Sequence, residues 1–225
     1  MDQPSNSKSR FCILSALSGL VGVVMLAVSF AINNGPPPNA SAAELIKFGQ
    51  ENYAAILWGA WLQAIGPVFI VLFAFALVHL AEATSHLAGW MTFFGATVLM
   101  TVSLMEIGFY ISALNPEPAM MPSISLRFIY AVQHLYFIVA APALFLPLGM
   151  VLVKSRILPR LFGYSALALA IAFASLGVIF LLTLTLPATV TALAGVQALW
   201  WLTAAMMLMA RHRIVSAGRP EATGH

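Results

Sequence analysis

Long uninterrupted runs of apolar residues dominate the chain. A membrane-spanning helix needs about 20 mostly apolar residues, and six stretches meet that length. The predicted spans are 11–32, 54–80, 87–114, 128–153, 162–186 and 188–210. These runs are apolar on every face, whereas the strands of a membrane barrel alternate apolar and polar residues. The pattern therefore predicts an all-α integral membrane bundle of six transmembrane helices.

Basic residues indicate how the bundle is oriented. With six spans, both termini lie on one side of the membrane. That side carries Lys8, Arg10, Lys154, Arg156, Arg160, Arg211, Arg213 and Arg219, and the other side carries only Lys47 and Arg127. Lys and Arg concentrate in cytoplasmic loops, so we expect both termini inside, with cytoplasmic segments 1–10 and 211–225 flanking a transmembrane domain 11–210.

Composition supports the membrane assignment and limits which kinds of partner we expect. Of 225 residues, 61% are hydrophobic and 8% are charged, whereas soluble domains carry about 25% charged residues. A chain of this length cannot bury so much apolar surface on its own, which excludes a soluble monomer. The lipid bilayer is the expected partner. The net charge is +3, and the basic residues lie at the ends of the spans, where they set the orientation in the membrane. We therefore expect no nucleic-acid partner.

The loop after the first span has a local signature of its own. Asn33–Pro38 contains three consecutive prolines and is predicted to be a turn. Ser41 and Glu44 then have the spacing of a capping box, in which each residue bonds the backbone N–H of the other. Apolar residues on one side follow, at Leu45, Ile46, Phe48 and Gly49. We expect a short interfacial helix on the outer surface before the second span.

Prolines mark the other outer connections. The segment Asn115–Arg127 contains three prolines and is predicted to be a structured connector or lid, and a tight turn is expected around Pro187. Within the fourth span, Pro142 and Pro147 are expected to kink the helix. Ala40-Ser41-Ala42 fits a signal-peptide cleavage pattern. The preceding apolar run spans 11–32, longer than the usual 7–15 residues, so we expect the first span to be retained.

Four polar side chains from four different spans fall at about one depth in the outer half of the bilayer. They are Gln63, Glu106, His134 and Gln197. At a rise of 1.5 Å per residue, they lie roughly 9–13 Å in from the outer ends of their spans. Ionisable and polar side chains are costly inside a bilayer, so their coincidence in depth is the main indication of a site.

The functional hypothesis is a lipophilic pocket open towards the outer leaflet. Glu106 and His134 are the candidate catalytic pair, since burial favours the protonated carboxyl and the imidazole could share its proton. Such a pair can protonate a double bond or move a proton beside a carbonyl. The candidate ligand-binding residues are Gln63, Ser103, Tyr110, Tyr130, Gln197, Trp58 and Trp200. Gln133, next to His134, is expected to point elsewhere.

Other functions stay open at this point. The leading interpretation is a protein that binds, or converts by acid–base chemistry, an isoprenoid, quinone or lipid. Polar side chains also join membrane helices structurally, for about 0.6 kcal/mol each, and tryptophans anchor helices at interfaces. The alternatives are therefore a non-catalytic accessory subunit that packs against other membrane subunits, and a small proton-coupled carrier.

Metal and cofactor chemistry finds little support in the sequence. A single cysteine, Cys12, excludes a thiolate cage, and a zinc hydrolase needs about three ligands. His79 is predicted at the opposite membrane face from His134, which disfavours a haem with two axial histidines. The one aspartate is Asp2, so no Asp-rich magnesium site is present. We expect neither a metal nor a cofactor.

One short motif suggests a resemblance. The segment Leu158-Pro159-Arg160-Leu161-Phe162-Gly163 opens the fifth span. Together with the six spans, the long first outer loop and the short inner turns, it resembles a broad group of small bacterial six-span membrane proteins of unknown function. The resemblance implies a location in the bacterial cytoplasmic membrane and supplies no catalytic residues.

Overall fold

A computed structural model describes residues 4–33, 40–115, 120–183 and 188–217, with side chains for 9–33, 40–115, 120–179 and 192–211. These ranges are mostly helical and contain no strand. The helices are α1 (Pro4–Ile32), α2 (Ala42–Glu51), α3 (Tyr53–Leu80), α4 (Leu87–Ala113), α5 (Met121–Leu135), α6 (Ala141–Lys154), α7 (Arg160–Thr183) and α8 (Ala188–Ala217). A π-helical turn, Tyr136–Ala140, joins α5 to α6 in one continuous helix.

Six of these helices are long and apolar enough to cross a membrane, which confirms the predicted all-α bundle. The spans are Ser9–Ile32, Tyr53–Leu80, Leu87–Ala113, Met121–Lys154, Arg160–Ile179 and Ala192–Arg211. The chain is therefore a multi-pass integral membrane protein. The predicted turns at Pro36–Pro38 and Pro187 lie outside the described residues. Helix α1 begins at Pro4 and α8 ends at Ala217, so both helices extend into the segments predicted to flank the bundle.

The fourth span begins earlier than predicted. We expected residues 115–127 to form a structured connector or a lid. Residues 116–119 of this segment lie outside the described residues, and from Met121 the chain is helical as α5. Pro122 lies in the first turn of α5, where a missing backbone N–H costs no helical hydrogen bond and the fixed φ suits the helix. This proline therefore starts the helix instead of preventing it.

The predicted short helix is confirmed as α2, with its capping box. The Ser41 Oγ accepts from the Glu44 backbone N–H at 3.4 Å, and the Glu44 carboxylate accepts from the Ser41 backbone N–H at 2.7 Å. In the last turn of α2, Lys47 and Glu51 form an exposed ion pair at 3.8 Å. We call the end of the bundle that carries α2 the outer end, and the opposite end the inner end.

The spans pack in a ring around an aromatic centre. Helix α3 packs against α1 and α4, the fourth span against α4 and α7, and α8 against α1 and α7. The largest fully buried side chains include Phe73, Phe145, Phe173 and Trp201. Glycine permits the closest approaches between spans. A Cβ on Gly22 would lie 2.9 Å from the carbonyl oxygen of Gly66, and one on Gly95 would overlap the carbonyl of Ala143.

The π-helical turn in the fourth span follows from Pro142. Proline has no backbone N–H, and its ring clashes with the carbonyl four residues earlier, here that of Ile138. The preceding residue, Ala141, instead donates its N–H to the carbonyl of Tyr136, five residues back. The helix thus passes this proline with a widened turn, a feature that often marks functional sites.

Candidate functional site

A carboxyl group in the outer half of the bundle is held by two amides from two other helices. Gln63 on α3 donates from Nε2 to Glu106 Oε2 at 2.9 Å. Gln133 on α5 donates from Nε2 to Glu106 Oε1 at 2.9 Å. Glu106 lies on α4, so this one side chain links three of the spans. Gln63 is 5% exposed, and the other two side chains are partly buried.

The helical repeat explains why these side chains face inward. On α3, Gln63 continues the buried positions Ile56, Gly59 and Ala60, spaced three and four residues apart. On α4, Glu106 lies between the buried residues Ser103 and Ile107. Residues three and four apart share a helix face. The polar groups therefore occupy core-facing positions, where leaving them unpaired would be costly.

Glutamine is well suited to pair with a carboxyl that changes its protonation state. A glutamine side chain ends in both a donor N–H₂ and an acceptor oxygen. Two donating amides match the carboxylate, which only accepts. If one amide turns by half a rotation, its oxygen can accept from the protonated carboxyl. The cluster of Gln63, Glu106 and Gln133 can therefore hold or release a proton with little movement of heavy atoms.

A second polar pair lies one helical turn deeper. The Tyr136 hydroxyl donates to Gln197 Oε1 at 2.6 Å and joins the fourth span to α8. Tyr136 follows Gln133 by three residues on the same helix, a rise of about 4.5 Å. On α4, Tyr110 follows Glu106 by four residues and therefore shares its helix face. Tyr136 is not among the predicted site residues, although its spacing from Gln133 could have suggested it.

A cavity of about 210 Å³ lies at the outer end, between α2 and the outer turns of α3, α4 and α5. Its apolar lining includes Leu45, Phe48, Ile56, Ala113, Leu126 and Ile129. Its polar lining includes Tyr110, Tyr130 and Gln133. Gln133 thus lines the cavity and also donates to Glu106, so it connects the cavity to the carboxyl.

The hydrogen bonds described for the predicted pair, Glu106 and His134, go to other partners. The Nδ1 of His134 lies 2.6 Å from the backbone carbonyl of Tyr130 in its own helix. The carboxyl of Glu106 is engaged by the two glutamines. The expectation that Gln133 points elsewhere is wrong. Neighbouring helix positions differ by about 100°, and α5 turns residue 133, not 134, towards this carboxyl.

The other predicted ligand-binding residues fall into two groups. Tyr110 and Tyr130 line the cavity, and Ser103 is buried three residues before Glu106. The two tryptophans lie elsewhere. Trp58 is 62% exposed on the outside of α3 and packs edge-on against Trp61 at 5.9 Å, which suits an interfacial anchor.

Trp200 differs most from its predicted place in the outer layer. Its Nε1 donates to the Ser165 hydroxyl at 2.9 Å and to the Phe162 carbonyl at 3.2 Å. Both partners belong to the first two turns of α7, which begins at the inner end. The indole therefore packs two spans together below the polar layer. Trp200 lies twelve residues after Ala188 at the start of α8, about 18 Å along the helix, which is already past the middle of a hydrocarbon core of about 30 Å.

Metal ligands do not gather in the part of the chain with described side chains. Within it, His, Cys, Asp and Glu residues form no group of three or more that could hold an ion. The described hydrogen-bond partners of the Glu106 carboxyl are the two amides. The cluster therefore offers hydrogen bonding and proton exchange as its chemistry.

The fold and this polar cluster define an integral membrane protein of six spans with a carboxyl–amide cluster beneath an outer cavity. Comparisons of the chain with protein-family models, with curated proteins and with solved structures found no match.

Proposed function

We propose that the outer cavity binds the polar end of a lipophilic molecule, an isoprenoid, quinone or lipid, and that Glu106 exchanges a proton with it. We place the protein in a bacterial cytoplasmic membrane, as the short motif at the start of α7 suggests. The observation that carries the proposal is the position of Gln133, which lines the cavity and donates to Glu106 at 2.9 Å.

The size and lining of the cavity favour this class of ligand. Sites for drug-sized ligands commonly measure about 300–1,000 Å³. A space of about 210 Å³ fits only part of such a molecule. The apolar walls suit a hydrocarbon segment, and Tyr110, Tyr130 and Gln133 offer hydrogen bonds to one polar group. A ligand with a small polar end and a long apolar tail that extends into the bilayer meets both conditions.

Proton exchange requires a movement of Gln133. Glu106 lies behind this amide and is not part of the cavity wall. When the Gln133 side chain turns away, it loses a hydrogen bond worth about 0.6 kcal/mol, up to about 1.7. A ligand that hydrogen-bonds the displaced amide offsets that loss. Gln133 would then admit the ligand to the carboxyl, while Gln63 keeps the carboxyl in place.

His134 has a supporting role in this proposal. Its Nδ1 bonds the backbone carbonyl of Tyr130, whose side chain lines the cavity. We infer that His134 fixes this turn of α5 and thereby positions Tyr130 and Gln133.

The binding part of the proposal is tested by filling the cavity. Ala113 lines it, whereas Ile111 on the same helix is 51% exposed on the outer surface of the bundle. The full chain and the variants Ala113→Phe and Ile111→Phe are purified in mild detergent, and the molecules that co-purify are identified by mass spectrometry. We expect a lipophilic species to be lost from Ala113→Phe alone. Equal recovery from both variants would contradict the proposed site.

The proton-exchange part is tested in cells. A deletion strain is complemented with the wild type, Glu106→Gln or Gly108→Ala, and its lipids are profiled. A Cβ at Gly108 meets nothing within 4 Å, so this variant is a control on the same helix. We expect restoration by the wild type and the control only. If Glu106→Gln restored the lipid profile, proton exchange by Glu106 would be refuted and only the binding role of the cavity would remain. A deletion that changes no lipid would favour the accessory-subunit alternative.

A further inference from the structure

A second recess lies at the inner end, among α1, α3 and α4. It measures about 550 Å³ and is separate from the outer cavity. Its apolar lining includes Phe11, Leu14, Leu72, Phe75 and Phe93. Phe75 and Phe93 meet edge to face at 4.6 Å. Leu14 is 65% exposed and Leu72 50% exposed, so the recess opens to the side that faces lipid.

The depth of the recess matches one leaflet. Leu72 precedes the last residue of α3, Leu80, by eight positions, which is about 12 Å along the helix. Half of a hydrocarbon core of about 30 Å is about 15 Å. The recess therefore extends over most of the inner half of the bilayer, the length over which an acyl chain could lie against it.

Among the described residues that line the recess, the exposed polar side chains lie at the inner rim. The hydroxyls of Ser15 and Ser18 also line the recess, but each bonds a carbonyl of its own helix, at 2.6 and 2.7 Å. His79 and Thr84 line the recess where α3 ends and the following turn begins, and both are exposed. The recess is thus apolar inside and carries hydrogen-bonding groups at the depth of lipid headgroups.

Basic residues outnumber acidic ones on this side of the membrane, although Glu82 lies in the turn between His79 and Thr84. Arg10 is exposed and directly precedes Phe11, which lines the recess. Eight of the ten Lys and Arg residues are assigned to this side of the membrane. Arginine forms charge-assisted hydrogen bonds with phosphate oxygens, and basic residues next to a span attract anionic lipids. We propose that this recess binds an anionic phospholipid of the inner leaflet, with an acyl chain between α1 and α3 and the phosphate near Arg10, His79 and Thr84.

The test uses the full chain in nanodiscs that contain equal parts of phosphatidylglycerol and phosphatidylcholine. After release into mild detergent, native mass spectrometry counts the lipids of each kind that stay bound. Ser18→Phe fills the recess, and Leu17→Phe adds the same ring on a side of α1 that does not line it. We expect retention of phosphatidylglycerol over phosphatidylcholine in the wild type and Leu17→Phe, and loss of that retention in Ser18→Phe.

A milder variant keeps the test independent of folding. Arg10→Gln changes an exposed side chain, and we expect it to lower phosphatidylglycerol retention about fivefold, the effect typical of one basic residue at an anionic membrane surface. Equal retention of the two lipids by the wild type would overturn the proposal. So would unchanged retention in either Ser18→Phe or Arg10→Gln. The outer cavity takes no part in this test, so its outcome is independent of the proposed function.

Discussion

The link that Glu106 makes between three spans predicts how two substitutions should differ. Glu106→Leu removes the acceptor of two hydrogen bonds and leaves the amides of Gln63 and Gln133 facing an alkyl group. Hydrogen bonds between membrane helices contribute about 0.6 kcal/mol on average and up to about 1.7. Two of them lead us to expect a loss of about 1.2–3.4 kcal/mol in the free energy of unfolding.

Glu106→Gln should behave differently, because an amide both donates and accepts. The new side chain can accept from one glutamine and donate to the other after that glutamine turns. We expect a change of less than about 0.6 kcal/mol, the average value of a single bond of this kind. This variant therefore separates the structural role of the side chain from its capacity to carry a proton.

The free energies of unfolding can be measured on the full chain in lipid bicelles by steric trapping, with Gly108→Ala as the control on the same helix. A Glu106→Leu variant as stable as the wild type would show that the two hydrogen bonds contribute nothing. Equal losses for Glu106→Gln and Glu106→Leu would show that the cluster needs the anion itself. Either result would refute the reasoning about paired amides.

Three further predictions follow from the contacts between helices. Gly95→Ala places a methyl group against a backbone carbonyl of α6, and we expect a loss of about 1–3 kcal/mol or more in the same unfolding assay. Tyr136→Phe removes the donor to Gln197 and should cost about 0.6–1.7 kcal/mol. At α2, hydrogen bonds from the backbone and side chain of Ser41 lower the pKa of Glu44 below its usual 4.5. The capping box stabilises α2 fully above pH 4.5, and this stabilisation is lost as the pH falls through the lower pKa of Glu44 in the folded state. Amide hydrogen exchange in α2, measured relative to its intrinsic rate, should therefore accelerate in acid.

Each of these predictions has a control. Gly108→Ala, on the same helix as Gly95, should leave stability unchanged, and an equal loss there would contradict the argument from close approach. For Tyr136, a loss that persists in a background where Gln197 is already replaced would show that the hydrogen bond is not its source. Glu44→Gln should remove the acid dependence of exchange in α2, whereas Glu51→Gln should keep it.

The sequence could predict the spans but not which way they turn. Six apolar runs and the spacing of Ser41 and Glu44 were enough to predict the six spans and α2, because hydropathy and capping are local properties. A helix that is apolar on every face has no amphipathic stripe to orient it. Whether residue 133 or 134 faces Glu106 depends on how α5 packs against its neighbours. Packing between distant segments is not a property of a single helix, so this choice was not available from the sequence of α5 alone.

The π-helical turn in the fourth span has a consequence for residue register. A one-residue bulge rotates everything beyond it by about 100° compared with an unbroken α-helix. The outer half of this span presents Gln133 to α4, and the inner half presents Gly149 to Gly163 of α7. A regular helix would have to give up one of these two contacts. Shortening the turn by one residue would therefore keep the span helical, but Gln133 and Gly149 could no longer both reach their partners.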